Sequence, residues 1–259
     1  DQLGLPSPDH HLGVGSATHG EQTAEILRLT EKVLNDEKPE MVLVYGDTNS
    51  TLAGALAASK MHIPVAHIEA GLRSFNRMMP EETNRVLVDH VSDILFCPTE
   101  TAVSNLRTEG FRNISNDGRL IEGAIDRKSI NTPNVINVGD VMFDVLLMSL
   151  YISERQSQAL DDLHLESSSY LLATIHRAES TDDLGRLQRI LMSLAILSEE
   201  VRVVLPLHPR TRAAMSRLEN MPFPIDDPPF ETISPVGYFD MLWLEKHARA
   251  VLTDSGGVQ

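Results

Sequence analysis

The 259 residues carry 22 Lys and Arg against 37 Asp and Glu, a formal net charge of -15. With no cluster of basic residues, that balance excludes a surface built to neutralise nucleic-acid phosphates or anionic lipid, so neither nucleic acid nor membrane is an expected partner. The length fits two domains rather than one, and the single cysteine, Cys97, excludes an internal disulfide framework and implies a reducing compartment, the cytoplasm.

Apolar residues recur at helical spacing from Glu21 to Asn35, Pro39 punctuates, and the apolar run MVLVYG reads as a buried strand. The alternation continues with TLAGALAASKM as helix, PVAHIEA as strand, PEETNRVLVDHVS as helix, DILFCPT as strand and TETAVSNLRTEG as helix. Residues 110–134 break this rhythm with a polar, turn-rich stretch that reads as a surface excursion, after which VINVGD is a strand. A helix over DVMFDVLLMSLYISERQSQAL follows, and then YLLATI, DDLGRLQRILMSLAILSEE, VRVVLPL, a helix after Pro209, a poorly patterned stretch, GYFDMLWLEKHA and ARAVLTD. Strands separated by helices imply right-handed crossovers and parallel sheets, hence an α/β fold with two domains, 1–145 and 146–259. The chain starts without Met and stops in the glycine turn of VLTDSGGVQ, so it reads as an internal fragment whose two domains are both partial.

Ligands of open parallel sheets sit beyond the carboxyl ends of the strands, and the polar clusters fall there. Asp47 and Thr48 follow MVLVYG, Glu69 follows PVAHI, His176 and Arg177 follow YLLATI, His208 follows VRVVLPL, and Asp254, Ser255, Gly256 and Gly257 follow ARAVLT. Taken singly, each has a structural reading. Asp47 or Thr48 fits a helix cap, Glu81 and Glu82 after Pro80 complement a helix dipole, and a lone histidine is more often satisfied than catalytic. Small residues after a strand, as in Ser255-Gly256-Gly257, let backbone N–H groups approach a phosphate. Cys97 lies in an apolar strand and reads as core, and the histidines at 10, 11 and 19 are too loosely spaced for a metal site, so no metal is expected.

Read together, VLVYGDT, HIEAGLR followed by PEETNR, FCPTE, VGDVMFD, ATIHRAES, PLHPRTR and LTDSGGVQ resemble the non-hydrolysing UDP-N-acetylglucosamine 2-epimerase family from about residue 12 to the last residue. The resemblance implies two Rossmann-like domains of the GT-B type with a UDP-sugar in the cleft between them, a homodimer, no cofactor, and a role in cell-surface polysaccharide biosynthesis. It implies that anti elimination of UDP gives a 2-acetamidoglucal and that re-addition yields the C2 epimer, with the fragment itself inactive. By motif, Asp47, Glu69 and Glu81 match the family's acid/base carboxylates and His176 its catalytic histidine, while His208, Ser255, Gly256 and Gly257 match the diphosphate site, with Arg73 as added positive charge. The compact SFNRMM between EAGLR and PEE, with its Arg77, also looks like relatives acting on UDP-2,3-diacetamido-2,3-dideoxyglucuronate. A GT-B glycosyltransferase and a non-catalytic UDP-sugar-binding protein are the remaining alternatives, the latter disfavoured by the retained Asp47, Glu69, Glu81 and His176.

Overall fold

The computed structural model describes residues 6–119 and 133–255. It divides into two compact units, the first ending at Phe143 and the second beginning at Asp144.

In the first unit α1 (His19–Glu37) is followed by β1 (Val42–Tyr45), α2 (Asn49–Lys60), β2 (Val65–Ile68), α3 (Pro80–Val91), β3 (Ile94–Cys97), α4 (Glu100–Thr108), β4 (Asn113–Ser115) and β5 (Asn134–Asn137). Helix starts are set chemically. Thr18 and Glu21 form a capping box on α1, Thr48 and Thr51 do the same on α2, and Thr99 caps α4. The described strands make one parallel sheet in the order β1-β2-β3-β5-β4, in registers such as Val42↔Val65, Ala66↔Ile94 and Ile94↔Asn134. All of them therefore end on the same side. Leu34, Val44, Leu52, Val65 and Val88 pack one core cluster, and Leu95, Val103, Leu106 and Val135 another. Cys97 is fully buried in the second cluster, where burial first and the nearby Asp89 charge next push its thiol up to about 12 against the opposing Arg73.

The described part of 110–134 departs from the expected surface excursion at residues 113–115. Asn113–Ser115 form β4, which pairs parallel to β5 at the sheet edge, with Asn113 Nδ2 donating to Asn134 Oδ1 at 2.6 Å. Asn113-Ile114-Ser115 is too short for its alternation to be read from sequence, so the pairing is set by the neighbouring strand. Residues 120–132 lie outside the described part.

The helix α5 (Val141–Gln156) leads into the second unit, which holds α6 (Ala159–Asp162), β6 (Tyr170–Thr174), α7 (Ala178–Thr181), α8 (Leu184–Ser198), β7 (Arg202–Pro206), α9 (Pro209–Met215), β8 (Glu231–Ile233), α10 (Tyr238–His247) and β9 (Ala250–Thr253). Its described strands form a parallel sheet ordered β8-β7-β6-β9. The poorly patterned stretch thus contains an edge strand, β8. The face of α8 that carries Leu187, Leu191 and Leu194 packs on Leu171, Val203 and Leu205. Leu191 is fully buried there, so Leu191→Ala should cost about 2–5 kcal/mol in urea unfolding. A loss below about 1 kcal/mol would show that α8 collapses onto the gap.

Candidate functional site

At the end of β1 the chain turns through Gly46, whose φ of 68° is left-handed, and delivers Asp47. Thr48 takes the α2 cap, with its hydroxyl accepting from Thr51 N, which frees the Asp47 carboxylate. Arg85 Nη2 donates to that carboxylate at 2.5 Å, and Asn84 Nδ2 donates to the Asp47 carbonyl at 2.9 Å. At the end of β2, Glu69 adopts φ 74°, a left-handed conformation that costs a non-glycine residue about 1–3 kcal/mol. A Cβ at Gly46 would stand 3.3 Å from Glu69 Oε2, so the two turns are packed together. Glu69 lines a narrow cavity with Tyr45, Phe96, Pro98 and Asp140. Burial first, then the charges of Asp47 and Asp140, raise its carboxyl above the usual range against the opposing His67 and Arg85.

The two glutamates of the PEE phrase separate. Glu81 is exposed, its side chain makes no hydrogen bond to any described residue, and it lies one turn before Arg85 on the same face of α3. Glu82 is buried and accepts from Ser74 N, Ser74 Oγ and Phe75 N, each at 2.9 Å. Burial alone would raise Glu82, but those donors and the Arg85 charge outweigh it and hold its carboxyl below the usual range. Glu82 therefore fastens the 74–79 turn, in which Phe75 at φ 57° and Met78 are 78% and 89% exposed.

Arg73 departs from the expectation of free positive charge. Its side chain is 2% exposed and wholly engaged, by Asp89 at 2.7 Å, Glu109 at 2.6 and 2.7 Å, and the Leu72 carbonyl. Burial opposes its charge, yet Glu109 and Asp89 more than offset that and raise its pKa. It is a strut, and the cation that reaches the rim is Arg85.

In the second unit β6 and β9 are adjacent, which sets His176 beside Asp254. Asp254 accepts from His176 N at 3.2 Å and Arg177 N at 3.0 Å, and its Oδ1 stands 3.7 Å from His176 Nδ1. Burial would raise Asp254, but the Arg177 N–H, the Ser180 hydroxyl, the His176 N–H and the His176 charge hold it below the usual range. His208, after β7, has its ring 5.8 Å from that of His176. Its Nδ1 accepts from Arg210 N at 3.1 Å and so caps α9, which leaves Nε2 to carry the ring proton of the neutral form. Ser255 N donates to Thr253 Oγ1 at 2.9 Å, whereas Gly256 and Gly257 lie outside the described residues.

The structure thus brings together Asp47 and Glu69 in the first unit, with Glu81 on the α3 face that reaches Asp47, and His176 and His208 in the second. Sequence reasoning missed roles for Arg85, Asp140 and Asp254. Asp254 and Arg85 stand inside phrases already singled out, so position beside a motif was the available signal. Asp140 also donates its cap to α5, accepting from Met142 N at 2.9 Å, a role that its place before a helix foreshadows. Among the described residues no group of three His, Cys, Asp or Glu is arranged to hold a metal ion.

Two α/β units with parallel sheets, each carrying polar side chains at the carboxyl ends of its strands, define the GT-B class of fold. The sequence model of UDP-N-acetylglucosamine 2-epimerase matches residues 1–259. The chain is 47% identical over 260 residues to a UDP-N-acetylglucosamine 2-epimerase homolog of Methanococcus maripaludis, covering 100% of this chain and 67% of that protein. It is 50% identical over 261 residues to the UDP-2,3-diacetamido-2,3-dideoxy-D-glucuronate 2-epimerase of Pseudomonas aeruginosa, covering 100% of this chain and 66% of that one. The crystal structure of Methanocaldococcus jannaschii UDP-GlcNAc 2-epimerase in complex with UDP-GlcNAc and UDP superposes with a TM-score of 0.75 at 41% identity, over 99% of this chain and 66% of that one. This chain belongs to the UDP-N-acetylglucosamine 2-epimerase family, and it spans about two thirds of the length of these relatives.

Two outcomes follow from the geometry. Arg73→Ala removes from the buried Asp89 the guanidinium at 2.7 Å, breaking a buried ion pair, and should cost about 3–5 kcal/mol in urea unfolding. Because Glu82 is held below its ordinary value, its contribution is present above about pH 4.3 and lost as pH falls through the lowered folded value. Protection of the Ser74 and Phe75 amides, relative to their intrinsic exchange rates, should therefore fall in acid, and at neutral pH in Glu82→Gln; unchanged protection in that variant would free the turn from Glu82.

Proposed function

We propose that the protein to which this chain belongs is a UDP-N-acetylglucosamine 2-epimerase that interconverts UDP-GlcNAc and UDP-ManNAc without a cofactor. The proton on C2 is not adjacent to a carbonyl, so its removal has to be coupled to departure of UDP from C1. Loss of the C2 proton and of UDP forms the C1–C2 double bond of a 2-acetamidoglucal. Return of a proton to the opposite face of C2 and of UDP to C1 gives the epimer, with atoms and charge conserved. That sequence needs acid/base groups on both faces of C2 and a grip on the departing diphosphate.

The observation that carries the reading is the pairing of two unlike carboxylates at adjacent strand ends. Asp47 faces the Arg85 guanidinium, while Glu69 is half-buried and its carboxyl is raised by burial and by the Asp47 and Asp140 charges, so the two carboxylates meet unlike surroundings. Glu81 is the third acid/base candidate. In the second unit His176, steadied by Asp254, serves beside the leaving group, and His208 presents Nε2–H to the diphosphate with Ser255, Gly256 and Gly257 as its cradle. The reading includes a cytoplasmic homodimer in cell-surface polysaccharide biosynthesis, the compartment being supported by the one buried, unpaired cysteine.

A second substrate has its own support. The turn over 74–79 is compact, is fastened by Glu82 and carries the exposed Arg77, whose guanidinium would pair with a C6 carboxylate, and the 50% identical Pseudomonas aeruginosa relative bears the diacetamido-glucuronate name.

In D2O and without any acceptor sugar, the complete protein should exchange the C2 proton of UDP-GlcNAc, which a glycosyltransferase has no means to do. Glu69→Gln should lower that rate by about 10²–10⁴-fold with an unchanged unfolding midpoint. Near-normal exchange in this variant would remove Glu69 from the chemistry. If the uronate is the substrate, Arg77→Met should lower kcat/KM for it by about tenfold or more and leave UDP-GlcNAc turnover unaltered.

A further inference from the structure

His67 and Asp89 are both completely buried, and neither has a part in the chemistry described so far. His67 Nδ1 is 2.7 Å from Asp89 Oδ1, and Nε2 is 2.8 Å from the Gly46 carbonyl oxygen. The carbonyl is an acceptor only. The other oxygen of Asp89 already accepts from Arg73 Nη1 at 2.7 Å and Gly71 N at 3.1 Å. A neutral imidazole has one N–H and would leave one of its two partners facing a lone pair. Both contacts are satisfied when both ring nitrogens donate.

We propose that His67 and Asp89 are a positioning pair for the two carboxylates, with His67 held as a doubly protonated imidazolium in the core. The proposal rests on Asp47 and Glu69 acting as the proton-transfer groups. His67 clamps the carbonyl of Gly46, the residue before Asp47. Asp89 clamps the N–H of Gly71, two residues after Glu69, while His67 itself stands two residues before Glu69 on β2. One ion pair therefore ties the turn after β1, the turn after β2 and α3 to a common point. The turn after β2 has a backbone cost to hold, because Glu69 is a non-glycine residue at a left-handed φ of 74°, whereas Gly46 and Gly71 take theirs, 68° and 77°, freely. The charges around His67 balance its own: Asp89 contacts it directly, Glu69 lies within electrostatic reach, and Arg73 carries the chain of charges out to the exposed Glu109. Loss of the Gly46 clamp shifts Asp47 relative to the sugar carbon without touching substrate, so it is felt in turnover more than in binding.

Two measurements on the complete protein test this. With ¹⁵N-labelled histidine, NMR should detect one imidazole with both N–H protons protected from solvent exchange, absent in His67→Asn; a single N–H on His67 overturns the imidazolium. For function, the amide nitrogen of Asn reaches the Nδ1 position and that of Gln the Nε2 position. His67→Asn keeps the Asp89 contact but releases Gly46, and should lower kcat for C2 proton exchange, per folded molecule, about 10²-fold with KM within about threefold. His67→Gln, which still reaches Gly46, should recover about tenfold of that loss. Full kcat in folded His67→Asn, or equal losses in the two variants, overturns the positioning role. Absence of exchange in the unmodified protein would instead sink the proposed epimerase reading, and the NMR result would still decide the imidazolium.

Discussion

A carboxylate with no access to water has to be neutralised where it lies, and Asp89, on a helix at the back of the first sheet, is such a group. Its donors come from β2 through His67, from the turn after β2 through Gly71, and from Arg73, which reaches on to Glu109 beyond α4. The backbone has little choice around it. At Gly71 a Cβ would fall 2.5 Å from the Ala102 carbonyl oxygen, so the turn closes onto α4 only because the residue is glycine. Strand, turn and two helices are thus held in one arrangement, and Glu69 is carried within it.

That arrangement gives four neighbouring carboxylates four different situations. Asp47 faces a guanidinium, Glu82 is consumed by three donors of the 74–79 turn, Glu81 stands in water, and Glu69 sits against charges of its own sign. Surroundings alone thereby raise one glutamate, Glu69, and lower another, Glu82. The second unit works differently. Its rim is imidazole and hydroxyl, and its carboxylate, Asp254, is tied by backbone N–H groups to the turn that holds His176. The carboxylate cluster and the imidazole pair are therefore built on separate sheets, each with its own means of keeping a turn in place.

Much of the fold was legible because its signals are local. Helical spacing in 21–35 and short apolar runs such as VLVY and VAHI mark elements without knowledge of their neighbours, and they correspond to α1, β1 and β2. The strands missed, β4 and β8, are three residues long and take their conformation from the strand beside them. At the site, the residues after strand ends were readable as a set because parallel strands deliver their carboxyl ends to one side. Their individual duties were not. The PEE phrase offers two adjacent glutamates with the same local signal, and Arg73 and Arg85 look alike along the chain.

The order of helices and strands, the acidic character and the residues at the strand ends were determined by the amino-acid sequence itself, since spacing, turn chemistry and charge belong to short segments. Which charge meets which was decided by tertiary structure alone. Arg85 and Asp47 are 38 residues apart and Arg73 and Glu109 are 36 apart. Such pairs exist only once the strand order and register have set their elements side by side, and it is that burial and pairing, not residue type, that makes Glu82 and Arg73 struts and leaves Glu69 poised at the rim.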